Sequence, residues 1–135
     1  TLATNASGSR SYKYGVTRNY VEEVELVLVD GKKTIVKRGL KITEPLKFED
    51  GSHISFPEIS YQSPECKNAA GYFVNPDMDW LDLFIGSDGT LGIFTKIVLR
   101  LLPCPMDFVS GILFFKDETS SCTIGHFCPI FFNRI

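Results

Sequence analysis

An alternation of apolar and polar positions is clearest over residues 21–29, which read VEEVELVLV. Every second residue from Val24 is apolar, while the positions between them mix glutamate with valine, a pattern typical of a strand inside a sheet. The dipeptide Asp30-Gly31 favours a tight hairpin turn, so residues 32–36 are expected to return as an antiparallel partner strand. Residues 15–20, immediately upstream, predict a turn of helix.

A second hairpin is predicted further along the chain. Residues 40–48 and 53–56 flank Asp50-Gly51, another pair that favours a turn between strands. His53 alternates with apolar neighbours and is therefore expected to face away from the core. We interpret it as a surface residue rather than a catalytic one.

Residues 79–85, DWLDLFI, predict a short amphipathic helix. Asp77 or Asp79 precedes the apolar positions and can cap the N-terminus of this helix. The apolar face of the helix is formed by Trp80, Leu81, Phe84 and Ile85.

The helix leads into a glycine-rich segment, residues 86–102, with the sequence GSDGTLGIFTKIVLRLL. Gly86, Gly89 and Gly92 lie three apart, a density that predicts left-handed backbone or a close approach of another backbone or a ligand. Residues 93–102 are rich in β-branched and aliphatic side chains and predict a buried strand that ends at a proline. Taken alone, a glycine turn ahead of a buried strand is an ordinary structural feature.

The first fifteen residues, TLATNASGSRSYKYG, are small and polar and predict an extended loop. Hydroxyl and amide groups, together with backbone N–H donors, can surround a phosphate or a ribose without net positive charge. A disordered terminus is the alternative interpretation. The side chains concerned are Thr4, Asn5, Ser7 and Ser9.

The end of the chain is apolar. Residues 106–115 predict another strand, and residues 117–120 predict the start of a helix. The tail, residues 125–135, is rich in Phe and Ile without a clear period, so we expect it to pack on a partner or to continue into further sequence.

Composition and charge limit the function classes. The 135 residues are 44% hydrophobic, which is typical of one compact globular domain. Lys and Arg number 14 against 16 Asp and Glu, giving a net charge of −2 that does not favour nucleic-acid binding. A local basic cluster is interpreted as a solvated face; its members are Lys32, Lys33, Lys37, Arg38 and Lys41.

No apolar run approaches the roughly 20 residues that span a bilayer, and no secretion signal is evident. We therefore expect a cytoplasmic protein without a transmembrane segment, membrane-peripheral at most in its full-length form. The four cysteines form no CxxC pair, and Cys122, His126 and Cys128 match no standard zinc pattern. No metal site is expected.

Two stretches together resemble a known family. TNASGSRSYKYGVTRNYVEEVELVLVDG resembles the segment of FAD-linked oxidases in which a small-residue loop leads through Tyr-Gly to a strand. KNAAGY followed by DWLDLFIGSDGTLGIFTKIVLRLLP is similar to the same family's later "AGY…LF.GSEGTLGI.T…LRLLP" segment. The resemblance covers residues 1–103 and is to the vanillyl-alcohol oxidase type, in particular the D-lactate dehydrogenase and glycolate oxidase branch.

The resemblance implies an FAD-binding domain made of two parts, with the cofactor between them. Residues 1–103 would be the second part, which in this family is α+β, mainly antiparallel sheet with short flanking helices, as the residue patterns also predict. Residues 104–135 would begin the substrate or cap domain. The other half of the flavin site, with its own pyrophosphate loop, has no counterpart in this sequence.

The resemblance also implies which residues contact FAD. In the first stretch they are Ala3, Thr4, Asn5, Ser7, Gly8, Tyr14 and Gly15, along the diphosphate and flavin side. In the second they are Gly86, Asp88, Gly89, Gly92 and Ile93, which would meet the adenosine portion. Asp88 stands where the family usually has Glu, so its carboxylate reaches less far. Neither loop contains His or Cys, and covalent flavin attachment from them is not expected.

The implied activity is oxidation of a small 2-hydroxy acid or related alcohol by an FAD-dependent enzyme. No catalytic residue can be assigned, and this chain alone is expected to be inactive because half of the cofactor cleft lies elsewhere. Two alternatives stay open: a flavin-free binding module, and a structural module that self-associates through the exposed half-site and the C-terminal tail.

Overall fold

The computed structural model describes residues 1–8, 10–64, 71–107, 114–117 and 119. The chain divides into two compact units. The first unit contains Thr1–Ala6 and Val16–Arg100, and the second contains Ser7–Gly15 and Leu101–Ile135.

The first unit is built on an antiparallel sheet of three strands in the order β2 (Lys33–Lys37), β1 (Val21–Val27) and β5 (Ile93–Leu99), with a separate two-stranded ribbon of β3 (Leu46–Lys47) and β4 (His53–Ile54). The helices are few and short, so the α+β class with a mainly antiparallel sheet is confirmed. The elements of the first unit are a 3-10 helix (Thr17–Tyr20), β1 (Val21–Val27), β2 (Lys33–Lys37), β3 (Leu46–Lys47), β4 (His53–Ile54), α2 (Trp80–Phe84) and β5 (Ile93–Leu99). The second unit contains α1 (Ser11–Tyr14).

The hairpin of β1 and β2 is confirmed, as is the helical turn before it. Val24 lies opposite Val36 in the antiparallel register, and both side chains are completely buried. β1 ends two residues earlier than predicted, because Leu28 and Gly31 already form the turn through a 2.9 Å hydrogen bond. Val29 consequently projects into solvent from the turn.

The second hairpin forms as predicted but is short, with only two residues in each of β3 and β4. The reason lies in the chain before β3. Lys41 bridges to Asp79, and the Ile42 N–H donates to the Met78 carbonyl at 3.1 Å, so these backbone groups pair with the segment ahead of α2. His53 is exposed, as expected from the alternation.

The hydrophobic core lies between the sheet and α2. The helix packs against β1 and β2 and begins after Asp79, one of the two residues predicted to cap it. Its apolar face is buried as the sequence indicated. The buried apolar side chains are Leu2, Val21, Val24, Leu26, Val36, Ile42, Leu46, Phe48, Met78, Trp80, Leu81, Phe84 and Ile85.

β5 is a strand, as predicted, but the prediction that it is buried is wrong. Most of its residues are exposed, and Ile93 and Leu99 expose 70% and 47% of their surface. Among the described residues, β5 lies at the edge of the sheet and is hydrogen-bonded to β1 alone, whereas α2 packs against β1 and β2. The apolar composition of β5 therefore marks a surface that the first unit does not itself cover.

The prediction of an extended N-terminal loop is also wrong. Asn5 N–H donates to the Leu2 carbonyl at 3.0 Å and Ala6 N–H to the Thr1 carbonyl at 2.9 Å, so the first residues curl into a turn. The buried Leu2 side chain joins the core cluster and fixes this turn. Further along, α1 closes one helical turn through the bond from Gly15 N–H to the Ser11 carbonyl at 2.8 Å.

Several predictions fall on residues outside the described part of the chain. These are most of the strand at 106–115, half of the helix start at 117–120, the tail at 125–135, and Cys122, His126 and Cys128. Among the residues that are described, no cluster of three potential metal ligands occurs. No helix in the same residues has the length and hydropathy needed to cross a membrane.

Replacing Gly92 by alanine is expected to lower the free energy of unfolding by about 1–3 kcal/mol, the usual cost of overpacking. A Cβ at this position would lie 2.9 Å from the Val27 carbonyl oxygen, which is backbone and can yield only if β1 shifts. Urea unfolding followed by Trp80 fluorescence measures the loss, since Trp80 is buried and is the single tryptophan. Gly8→Ala is the matched control, because a Cβ there meets nothing within 4 Å, and an equal loss in both variants would contradict the steric account.

Candidate functional site

The two stretches that carry the motifs meet in space. We name Thr1–Ala6 the N-terminal loop and residues 86–92 the glycine loop. Asp88 N–H donates to the Ala3 carbonyl at 2.8 Å, and Gly86 N–H donates to the Leu2 carbonyl at 3.2 Å. The residues that these bonds join are more than 80 positions apart in the sequence, and the two loops are thus connected directly through their main chains.

The backbone conformations at this junction are unusual. Asn5 and Asp88 both have left-handed backbone, with φ of 45° and 52°. Such conformations are uncommon outside glycine, although Asn and Asp tolerate them better than most residues. Gly86 has a φ of 85°, and a Cβ on it would lie 3.2 Å from the Asn5 Cβ. Glycine at position 86 therefore allows the N-terminal loop to lie against the glycine loop.

Arg18, at the 3-10 helix, contacts the chain on both sides of this junction. Its backbone N–H donates to Asn5 Oδ1 at 3.0 Å. Its guanidinium donates to the Asp82 carbonyl within α2 and to the Ile85 carbonyl at 2.6 Å, immediately before the glycine loop. The guanidinium also stacks 4.3 Å from the centre of the Phe73 ring.

The Asp82 carboxylate is the centre of a partly buried charge network. Its Oδ1 lies 3.3 Å from Arg18 Nη1 and accepts a hydrogen bond from Arg38 Nη1 at 2.8 Å. Its Oδ2 accepts the Asp79 N–H at 3.1 Å, which supports the start of α2. Burial lowers the pKa of Arg18 while Asp82 opposes that change, and an arginine stays protonated at any physiological pH. The Asp82 carboxylate is therefore the shared counter-charge of two guanidinium groups, and its removal would lower the stability of the fold.

Asp79 is the second buried carboxylate of the network. Burial raises the pKa of Asp79, but the Gly39 N–H, Lys41 and Arg38 together outweigh it and hold the pKa below its usual value. Gly39 N–H donates to Oδ2 at 2.9 Å, and Lys41 Nζ lies 3.1 Å from Oδ1. The native fold thus favours the ionised form of Asp79.

This shift predicts a loss of stability in acid. Because the folded-state pKa of Asp79 is depressed, its contribution is present above the unfolded pKa of about 4 and is lost as pH falls through the folded value. We expect urea unfolding between pH 7 and pH 3 to show a falling free energy of unfolding below about pH 4. Asp79→Asn should be less stable at neutral pH and should show a shallower acid slope. An unchanged slope in that variant would contradict the assignment to Asp79.

The structure brings some of the site residues expected from the resemblance together. Ala3, Thr4 and Asn5 lie in the N-terminal loop, bonded to the glycine loop at Gly86 and Asp88. Gly89 is at the exposed tip of the glycine loop, whereas Gly92 and Ile93 lie against the end of β1. The remaining predicted site residues, Ser7, Gly8, Tyr14 and Gly15, belong to the second unit. Ser7 and Gly8 are exposed, and Gly15 has a φ of 82°. Tyr14 is half-buried, and Lys13 Nζ lies 5.1 Å from the centre of its ring.

The junction presents polar groups suited to a nucleotide. Within the described residues, the N–H groups of Thr4 and Gly89 have no hydrogen-bond acceptor, and both residues are exposed. A Cβ on Gly89 would meet nothing within 4 Å, so the space beside this donor is open. The exposed Asp88 carboxylate accepts hydrogen bonds and suits ribose hydroxyls better than phosphates. This donor and acceptor set fits the sugar and phosphate groups of a cofactor such as FAD.

Ser87, between Gly86 and Asp88, carries a further polar group. Its Oγ is buried and has no hydrogen-bond partner among the described residues. An unpaired buried hydroxyl costs free energy, about 1–3 kcal/mol by mutational measure, and is uncommon in a native fold.

Sequence reasoning missed the charge network. Arg18 and Asp82 are not among the predicted site residues, and Arg38 enters the sequence interpretation only as a member of the basic cluster on a solvated face. Lys33, Lys37 and Lys41 are exposed, as that interpretation requires. Arg38 differs, because it pairs with Asp79 and Asp82 and its side chain is only 31% exposed. The available signal was Asp82 itself, an acid within an otherwise apolar helix turn, which requires a cation nearby if buried.

No model of a known protein family matches the chain. Comparison with curated proteins does find relatives. The chain is 33% identical over 127 residues to a D-lactate dehydrogenase of Anaerostipes hadrus, covering 93% of the chain and 20% of the relative. It is 36% identical over 125 residues to a D-lactate dehydrogenase of Archaeoglobus fulgidus, covering 91% and 21%. It is 36% identical over 101 residues to glycolate oxidase subunit GlcD of Bacillus subtilis, covering 75% and 15%. The chain therefore spans about a fifth of the length of these relatives or less.

Proposed function

We propose that this chain is part of an FAD-dependent oxidoreductase of the FAD-linked oxidase family, and that it forms one half of the FAD site. The observation that supports this most strongly is the junction of the N-terminal loop with the glycine loop. The two stretches that resemble the flavin-binding segments of that family are joined by the Asp88–Ala3 and Gly86–Leu2 hydrogen bonds. In this proposal residues 1–103 are the second part of the FAD domain and residues 104–135 begin the cap domain.

The chain's own residues act by binding and orienting the cofactor. The free N–H group of Thr4 would donate to phosphate or flavin oxygens, and that of Gly89 would donate to the adenosine portion. The Asp88 carboxylate would accept from ribose hydroxyls. Glycine at position 89 leaves the space in which the cofactor reaches the main chain. Bound FAD supplies the hydride-accepting chemistry, and the protein contributes position and electrostatics.

The substrate class we propose is a small 2-hydroxy acid. It rests on the names of the relatives, two D-lactate dehydrogenases and a glycolate oxidase subunit. The acid, base and carboxylate-binding groups of such a reaction are assigned to the part of the protein outside this chain. We propose a cytoplasmic location for the complete protein.

The test uses the complete protein that contains this chain, purified and reconstituted with FAD. We expect FAD to bind with quenching of its fluorescence, and D-lactate or glycolate to bleach the oxidised flavin absorbance when oxygen is excluded. Lactate of the opposite hand serves as a substrate control. A complete protein that folds but takes up no FAD would reject the proposal.

A second function is favoured by one observation, the apolar surface of β5. Ile93, Ile97, Val98 and Leu99 are each at least 39% exposed. Such a surface would suit a flavin-free module that associates with itself. Sedimentation of the 135-residue chain distinguishes the two. A dimer disrupted by Val98→Lys, with no FAD binding by the complete protein, would favour self-association over the flavin site.

A further inference from the structure

We propose that Arg18 is the positioning residue of the FAD half-site, holding the N-terminal loop and the glycine loop in the arrangement that receives the cofactor. The inference rests on the proposed function and names a residue that the sequence resemblance did not assign. Arg18 does not contact the cofactor in this account, and it acts through the two loops.

The argument begins with the position of Arg18. It lies on the 3-10 helix, an element separate from both loops, and is bonded to each side of their junction. Its main chain binds the N-terminal loop through Asn5 Oδ1, and its side chain binds the Ile85 carbonyl, immediately before Gly86. A Cβ on Gly86 would lie only 3.5 Å from Arg18 Nη2, so the guanidinium is packed against the start of the glycine loop.

The chemistry requires a guanidinium. Arg18 donates to the Ile85 and Asp82 carbonyls, pairs with the Asp82 carboxylate and stacks on Phe73. These contacts need a planar fork with several donors, and a lysine ammonium at the end of a flexible stem can replace only some of them. Arg18→Lys therefore keeps the positive charge and the main-chain bond to Asn5 while releasing the glycine loop.

A general contribution to stability is the competing explanation, and the chain offers a matched control for it. Arg38 shares the Asp82 carboxylate with Arg18, at 2.8 Å, and donates to the Arg18 and Val21 carbonyls. Among the described residues, no hydrogen bond or ion pair joins Arg38 to the N-terminal loop or the glycine loop. Arg38→Lys thus disturbs the same carboxylate without releasing either loop.

The first readout needs no cofactor. Hydrogen exchange in the complete protein reports on the Gly86 and Asp88 amides, whose bonds to Leu2 and Ala3 close the junction. We expect Arg18→Lys to speed exchange in the peptide that covers residues 86–90 by about tenfold, the loss of about 1.4 kcal/mol of local protection. Arg38→Lys should change it less than about threefold at a comparable change in melting temperature. Equal acceleration in both variants, or none in Arg18→Lys, would overturn the inference.

The second readout is FAD affinity, measured by fluorescence quenching in the same variants. We expect Arg18→Lys to weaken FAD binding by about tenfold or more, while Arg38→Lys stays within about threefold of the wild type. Weakening that follows melting temperature equally in both variants would overturn the inference. If the wild-type protein binds no FAD, the proposed function fails, and hydrogen exchange alone then decides whether Arg18 holds the loops.

Discussion

Replacing Asp82 by alanine is expected to destabilise the protein by about 3–5 kcal/mol, the usual cost of removing one partner from a buried ion pair. The Asp82 carboxylate neutralises Arg18 and Arg38 and accepts the Asp79 N–H. Its side chain is only 12% exposed, so solvent screens these interactions weakly. Without it, two mutually repelling guanidinium groups lie beside α2, and among the described residues only Arg38 keeps an ion pair, to Asp79 at 3.4 Å. Urea unfolding followed by Trp80 fluorescence measures the loss.

Glu22→Ala is the control for this change. Glu22 also faces an arginine, but the pair with Arg100 is 3.7 Å long and the Glu22 side chain is 46% exposed. Surface pairs of this kind contribute about 0–1 kcal/mol. If the two variants lost similar stability, Asp82 would not be the centre of a buried network.

Replacing Leu81 by alanine is the second large effect. Leu81 is completely buried in the core between α2 and the sheet. Truncation removes apolar contacts and leaves a cavity, which costs about 2–5 kcal/mol for leucine in a core. We expect a lower urea midpoint with the same dependence on denaturant, because the folded architecture is retained.

Leu101→Ala is the matched truncation at an exposed leucine, which exposes 83% of its surface. It should change the free energy of unfolding by no more than about 0.5 kcal/mol. A large loss at Leu101 with a small loss at Leu81 would contradict the placement of the core beneath α2.

Elements with local signals could be predicted from the sequence. The β1–β2 hairpin follows from alternation and from Asp30-Gly31, and α2 follows from its apolar face and from Asp79 ahead of it. In both cases the residues that specify the element lie within it or directly next to it. Propensity, turn chemistry and burial all favour the same structure there.

Features that depend on distant parts of the chain could not be predicted in this way. The composition of β5 specifies a strand, but its burial depends on what covers it, and the helix α2 packs mainly against β1 and β2. The N-terminal turn depends on the burial of Leu2 in the core. A single leucine among small and polar residues forms no hydrophobic pattern from which that burial could be predicted. The short β3–β4 ribbon likewise reflects competition from the Lys41–Asp79 bridge.

The candidate site shows the same division. The motif order suggested that the two loops act together, while their direct bonding and the role of Arg18 emerge only from the structure. A charged side chain that binds carbonyl groups leaves no periodic pattern in a sequence. The assignment of individual residues to FAD remains a prediction.

The most direct measurement of the central claim follows the backbone amides of the two loops during FAD titration. In the complete protein with isotope-labelled glycine and threonine, we predict that the Thr4 and Gly89 amide resonances shift and saturate together with flavin fluorescence quenching. Gly31 and Gly51, in the two hairpin turns, should not shift. FAD binding that leaves Thr4 and Gly89 unchanged would contradict the account, because the cofactor would then bind without the junction of the N-terminal loop and the glycine loop.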